Sequence, residues 1–247
     1  MKERDVLDVE KTATYSITPL YWVKPDEVKK KWKAKNYFRP WVLVYRDVAS
    51  ASNSRTLVST VMTTSYPTCN TLNMVMPKDA DDRLGACLLA NLNALIVDYC
   101  IKMKSPGSHV NRYMLYQIPI LPPDTYSEDE IEFIASRVAK LTRTHDTINK
   151  VWLTDYPEYP FGTAESRLEI RAELDALYAK KYGLNRYDLE FVLDPSEAES
   201  PDYPSETFPV LKREELKLYG EFRTRRLVLE AFDKLEKYGL EGFEVAK

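Results

Sequence analysis

LGACLLANLNALIVDYCIKMKSPGSHVNRYMLYQIPILPP, residues 84–123, holds the reading on which the fold turns. Leu88, Leu92, Leu95, Ile96, Tyr99 and Met103 recur at helical spacing, which predicts one buried apolar helix from Leu84 to about Lys104. Lys104–Arg112 (KSPGSHVNR) then breaks it with a proline, a glycine and a group of small polar side chains. Met114–Leu121 (MLYQIPIL) reads as a strand that Pro122 and Pro123 stop. A simple exit from a helix needs only the glycine. Ser105, Ser108, His109, Asn111 and Arg112 bring more hydrogen-bonding capacity than a turn consumes.

Upstream, Pro25–Lys35 (PDEVKKKWKAK) predicts a short basic helix. Trp41–Tyr45 and Thr56–Met62 are rich in β-branched and aromatic residues and predict two strands. The polar run Ser50–Ser54 between them suggests a hairpin, and Thr71–Met76 suits a further strand. Downstream, Ser127 and Glu130 have capping-box spacing, and a helix to about Leu141 follows. Tyr156–Phe161 is a proline-rich break. Residues 164–182 predict an amphipathic helix closed by Gly183, with a short helix over Arg186–Leu193 and a last one over Glu221–Tyr238. Asp194–Phe208 reads as an exposed acidic loop. The expected class is α+β: a mixed sheet with a buried helix, then a mainly helical C-terminal region. The expected boundary divides 1–155 from 156–247, where strands give way to helices.

Charge is unevenly placed. Residues 1–120 carry 17 Lys and Arg against 11 Asp and Glu, whereas residues 121–247 carry 18 against 27. Eight basic and two acidic residues fall within Lys24–Arg46 alone. Such a division suits a polyanion contact on one side of the molecule, or a solvated lysine-rich helix face. No apolar run reaches membrane-spanning length, and MKERDVLDVE is too charged for a signal peptide. The three cysteines form no CxxC pair. The expectation is a reduced, cytoplasmic protein with no membrane partner.

Several chemistries lack their residues. The seven glycines form no G-x-G, so no P-loop or glycine-rich methyl-donor loop is present. His109 and His145 are the only histidines, neither at metal-ligand spacing from a Cys or His. Pro201-Asp202 with Glu215-Leu216-Lys217 mimics a metal-dependent nuclease pattern, but it falls on an acidic loop and a helical stretch. No catalytic residue, metal or cofactor is expected of this chain.

Four segments carry a resemblance: Tyr45–Val61 (YRDVASASNSRTLVSTV), Leu88–Pro123, Arg171–Asp194 and Glu206–Asp233. In this order they resemble the C-terminal part of type IIG-like restriction-modification DNA methyltransferases and related phage-defence methylases. The helix, turn and proline pair are similar also to recognition domains of type I specificity subunits. The family's catalytic motif is missing here. The resemblance therefore implies a non-catalytic target-recognition region over residues 1–155 with a helical tail behind it. Its implied partners are double-stranded DNA and a methyltransferase domain or subunit, with or without a nuclease or helicase. The implied DNA-facing residues are Arg46, Arg55, Lys102, Lys104, Gly107, Ser108, His109, Asn111 and Arg112, with Asn53, Asn70 and Asn73 as candidates on chemistry alone. For His109 and Asn111, bracing of the helix end is an equal alternative, and for Arg46 and Arg55 the alternative is contact with the domain's own carboxylates. A protein-interaction module docking through the acidic half is the competing function.

Overall fold

The computed structural model describes residues 14, 22–50, 52–78, 81–104, 109–204 and 206–243. The apolar run WVLVYR becomes β1 (Trp41–Arg46), buried along nearly its whole length. It is the central strand of a three-stranded sheet, between β2 (Ser59–Thr63) and β3 (Leu72–Val75), in the order β2-β1-β3. Trp41 pairs with Thr63 and Tyr45 with Ser59 on one side; Leu43 pairs with Val75 and Arg46 with Leu72 on the other. Both pairings are antiparallel, so the sheet is not mixed.

Alternation along β1 divides the core. Trp41, Leu43 and Tyr45 enter the main apolar cluster, while Val42 and Val44 pack with Tyr37 and, more peripherally, Trp32 and Met62. Trp32 sits on α1 (Pro25–Ala34) and donates its indole N–H to the Thr64 carbonyl at 2.8 Å. Proline at the first turn, Asp26 and Glu27 beside it and lysines in the last turn all suit the dipole of α1.

Ten further α-helices follow among the described residues: α2 (Asp82–Asn93), α3 (Leu95–Lys104), α4 (Arg112–Leu115), α5 (Glu128–Thr142) and α6 (Asp146–Asn149), then α7 (Ala164–Lys181), α8 (Arg186–Leu193), α9 (Pro195–Ala198), α10 (Pro209–Tyr219) and α11 (Arg223–Tyr238). The α+β class holds, with the sheet early and helices late. Both bonds of the capping box at Ser127 and Glu130 are made. Gly183, just past the end of α7, takes φ +77°, a conformation open to glycine. The main core ignores the 155/156 division: Leu174, Leu177, Tyr178 and Leu235 belong to the same cluster as Trp41 and Ile134.

The long buried helix is two helices, bent by 52° between α2 and α3. Ala94 is extended (ψ 140°), and the Leu95 N–H donates to the Asp175 carboxylate of α7 at 2.7 Å. Asn93 holds the other side of the break, its amide N–H₂ donating to the Ser59 carbonyl and its oxygen accepting the Ser59 N–H. Apolar spacing did not reveal this, and it misplaced the stripe as well: Leu92 and Leu95 are buried, Leu88, Ile96 and Tyr99 only half-buried, and Met103 is 59% exposed. The strand expected over Met114–Leu121 is absent. Asn111 caps α4 instead, accepting the Met114 N–H at 3.1 Å, and Pro119 removes a donor that a ladder would need. β2 begins at Ser59 rather than Thr56, because the Thr56 and Leu57 N–H groups donate to Asp98. The loop expected over Asp194–Phe208 contains α9, and Asp194, Thr207 and Phe208 at its ends are buried.

A Cβ on Gly85 would lie 2.7 Å from the Trp41 ring, itself wedged edge-on against Trp152 with centroids 4.5 Å apart. Gly85→Ala is expected to lower stability by about 1–3 kcal/mol in urea denaturation, outweighing its gain in helix propensity. Burial, opposed by Arg55 and the Leu95 N–H, raises the Asp175 pKa from 3.8 to about 6. Between those values the folded state keeps a proton that the unfolded chain has released, so stability falls as pH rises through the window. Asp175→Asn keeps an oxygen for Leu95 and is expected to flatten that slope in melting curves recorded from pH 4 to 7.

Candidate nucleic-acid interface

The order β2-β1-β3 leaves one side of β3 without a strand partner among the described residues. Along that side runs a groove of about 540 Å³, bounded by the end of α1, by β3 and by α4. Three cations reach it: Lys35, Lys78 and Arg112. Asn70 and Asn73 add amides, Tyr116 adds a ring that is 82% exposed, and no carboxylate lines it. The Tyr45 hydroxyl also belongs to this wall; it is buried and has no hydrogen-bond partner among the described residues. Burial, and next the charge of Asp47, raises the Tyr45 pKa, so the phenol stays neutral and can donate.

The exposed lysines of α1 lie in the same basic segment. Among the described residues, Lys24, Lys29, Lys30, Lys31 and Lys33 enter no ion pair. Asp26 and Glu27 are the only acids on α1, so its more numerous lysines keep a net positive field for a polyanion. The groove can offer charge to phosphates, amides to base edges and a ring for stacking.

The residues singled out in the sequence divide between this surface and the interior. Arg112 and Asn70 line the groove, and Lys104 is exposed at the end of α3. Arg55 is turned inward: its Nε donates to Asp98 at 2.7 Å and its Nη2 to the Asn93 carbonyl at 2.6 Å. Arg46 donates to the Arg55 carbonyl at 3.2 Å. With its amide oxygen turned toward them, Asn53 accepts from Arg46 at 3.1 Å and from the Ser50 N–H at 2.9 Å. Lys102 is half-buried with its ammonium 5.4 Å over the Phe208 ring, and burial lowers its pKa. These four side chains hold the hairpin connection and the tail together.

His109 and Asn111 are both engaged within the chain. The His109 Nδ1 lies 2.9 Å from an Asp47 carboxylate oxygen, and Val48 and His109 form an isolated antiparallel bridge. Asp47 also receives the Asn73 amide at 3.4 Å, which links the turn after α3 to β3. Gly107 and Ser108 lie outside the described residues. In the tail, Arg226 pairs with Glu221 and Glu230. The nuclease-like pattern is dismantled: Glu215 is buried and accepts from the Thr224 N–H and hydroxyl. No metal-holding group of His, Cys, Asp or Glu occurs among the described residues.

Lys35, Lys78, Tyr45 and Tyr116 were missed as site residues. Lys35 lay within the basic run, but nothing in the sequence distinguishes Lys78 or Tyr116 from ordinary surface residues. Asn111→Ala is expected to cost about 0.5–2 kcal/mol through the lost cap. Arg112→Ala, one position on, is expected to leave stability within about 0.5 kcal/mol. Urea denaturation of the two variants side by side checks this separation of brace from surface.

Comparisons with protein-family models, with curated proteins and with solved structures find no match to this chain.

Proposed function

We propose that this chain is a DNA-sequence-recognition module, a C-terminal fragment or subunit of a restriction-modification or phage-defence DNA methyltransferase, non-catalytic by itself. One observation carries the reading: the groove along β3 brings Lys35, Lys78 and Arg112 together with Asn70, Asn73 and Tyr116, with no carboxylate in its lining and Asp47 behind it at the Asn73 amide. The likeness of Tyr45–Val61 and Leu88–Pro123 to methylase recognition regions supplies the nature of the polyanion. In this reading the cations and the α1 lysines meet phosphates, and the two asparagines meet base edges, adenine being the natural match for an amide. The chemistry comes from a methyltransferase domain or subunit.

A protein-interaction module of a defence complex is the second reading. α10 favours it by exposing Leu216, Leu218 and Tyr219 close to the acidic tail. The two readings separate on DNA. Fluorescence anisotropy with duplex DNA is expected to give weak binding whose log K falls with log salt at a slope of about −3 to −4, as for roughly four neutralised phosphates. Lys78→Ala with Arg112→Ala is expected to reduce that slope by about 2. Salt-independent binding, or a double variant that binds like the parent, overturns the groove as the DNA surface.

A further inference from the structure

A second cation-rich site lies at the other edge of the sheet, between β2, α2, α5 and α7. It is a cavity of about 360 Å³ with an apolar wall that includes Leu57, Leu89, Val138, Leu141 and Leu174. That volume is near the lower end of small-molecule sites, about 300–1,000 Å³. Three arginines reach it: Arg55, Arg167 and Arg171.

Their hydrogen-bonding states differ. Arg55 is taken by Asp98. Arg167 donates to the carbonyls of Phe161 and Leu141 and stacks 4.3 Å over the Phe161 ring, with no carboxylate partner among the described residues. Arg171 stays exposed to solvent at the mouth and makes no hydrogen bond or salt bridge among the described residues. Protein nevertheless surrounds it densely enough that loss of hydration, followed by the charge of Arg55, lowers its pKa. Loss of hydration also brings Arg167 down to about 10, with Arg171 the next cause.

The carboxylates that offset these charges are Asp98 and Asp175. Three guanidiniums against two carboxylates leave one positive charge uncompensated. Ser59 lines the same cavity, is only 9% exposed, and has a hydroxyl without a hydrogen-bond partner. An unspent guanidinium fork and an orphaned hydroxyl beside an apolar wall suit a ligand with one acidic group.

We propose that this cavity binds a small organic anion, with its phosphate or carboxylate paired to Arg171, an acceptor for the Ser59 hydroxyl, and an apolar body against Leu89, Leu141 and Leu174. The site is independent of the groove along β3 and stands whether or not that groove takes DNA. Calorimetry on the full chain with inorganic phosphate, adenosine monophosphate and octanoate tests it and distinguishes a phosphate from a carboxylate headgroup. At least one of the two organic anions is expected to bind with Kd below about 1 mM, at least about tenfold more tightly than inorganic phosphate. Arg171→Gln is expected to weaken that binding about tenfold or more with the melting temperature retained, because Arg171 holds no other group. Ser59→Ala, which removes an unpartnered hydroxyl, is expected to fold as the parent does and to bind the same anion less tightly. No heat with any of the three probes overturns the proposal, as does inorganic phosphate binding as tightly as the organic anions. Affinity unchanged in Arg171→Gln also overturns it.

Discussion

Asp98 is a carboxylate whose side chain has no solvent exposure, and it is answered from one short segment: the Arg55 guanidinium and the N–H groups of Thr56 and Leu57. A charge so buried is tolerated only where its lone pairs are met, and removal of one partner from such a pair costs about 3–5 kcal/mol. Its geometry sets much else. By drawing Thr56 and Leu57 onto α3, it makes β2 start at Ser59, where the side chain of Asn93 receives the strand. The start of β2 in turn fixes its register against β1, and β1 positions β3 and its open side.

The elements whose evidence is local were legible in the sequence. The proline and acidic first turn of α1, the apolar run of β1, the capping box of α5 and the glycine after α7 each act within a few residues, and each stands where expected. What was not legible depends on a distant partner. The break at Ala94 needs Asp175, and the late start of β2 needs Asp98, with partners 80 and 42 residues away in the chain. Met114–Leu121 misled for a different reason: its apolar character is spent on core contacts by Met114, Leu115, Ile118 and Leu121 without a ladder. The site was half-visible. Basic character near α1 and Arg112 could be read, but the meeting of Lys35, Lys78 and Tyr116 around β3 is a product of the sheet order.

Two populations of cations result from the same sequence. Arg46, Arg55 and Lys102 are consumed in tying the hairpin connection and the tail to the core. The α1 lysines, Lys78 and Arg112 are exposed and enter no ion pair among the described residues. A planar guanidinium can satisfy several carbonyls and a carboxylate at once, which suits Arg55 to the inner role; Lys102 joins it through the Phe208 ring, while Arg112 stays outside with the α1 lysines. Net charge by itself would have merged these two groups, although only the second is available to a phosphate backbone.

The bend between α2 and α3 also sets an order of events during synthesis. The Leu95 N–H is made 80 residues before the carboxylate that accepts it. Tyr178, which donates to the Cys87 carbonyl at 2.7 Å, is separated from it by 91 residues. Until α7 emerges from the ribosome, α2 and α3 therefore have neither their hinge acceptor nor the helix that covers them. At about 5–20 residues per second the intervening chain takes several seconds to make, and apolar surface waits uncovered in the meantime. The sheet and its flanking helices thus become a finished surface only after α7 has been translated, which ties completion of the N-terminal half to the arrival of the C-terminal one.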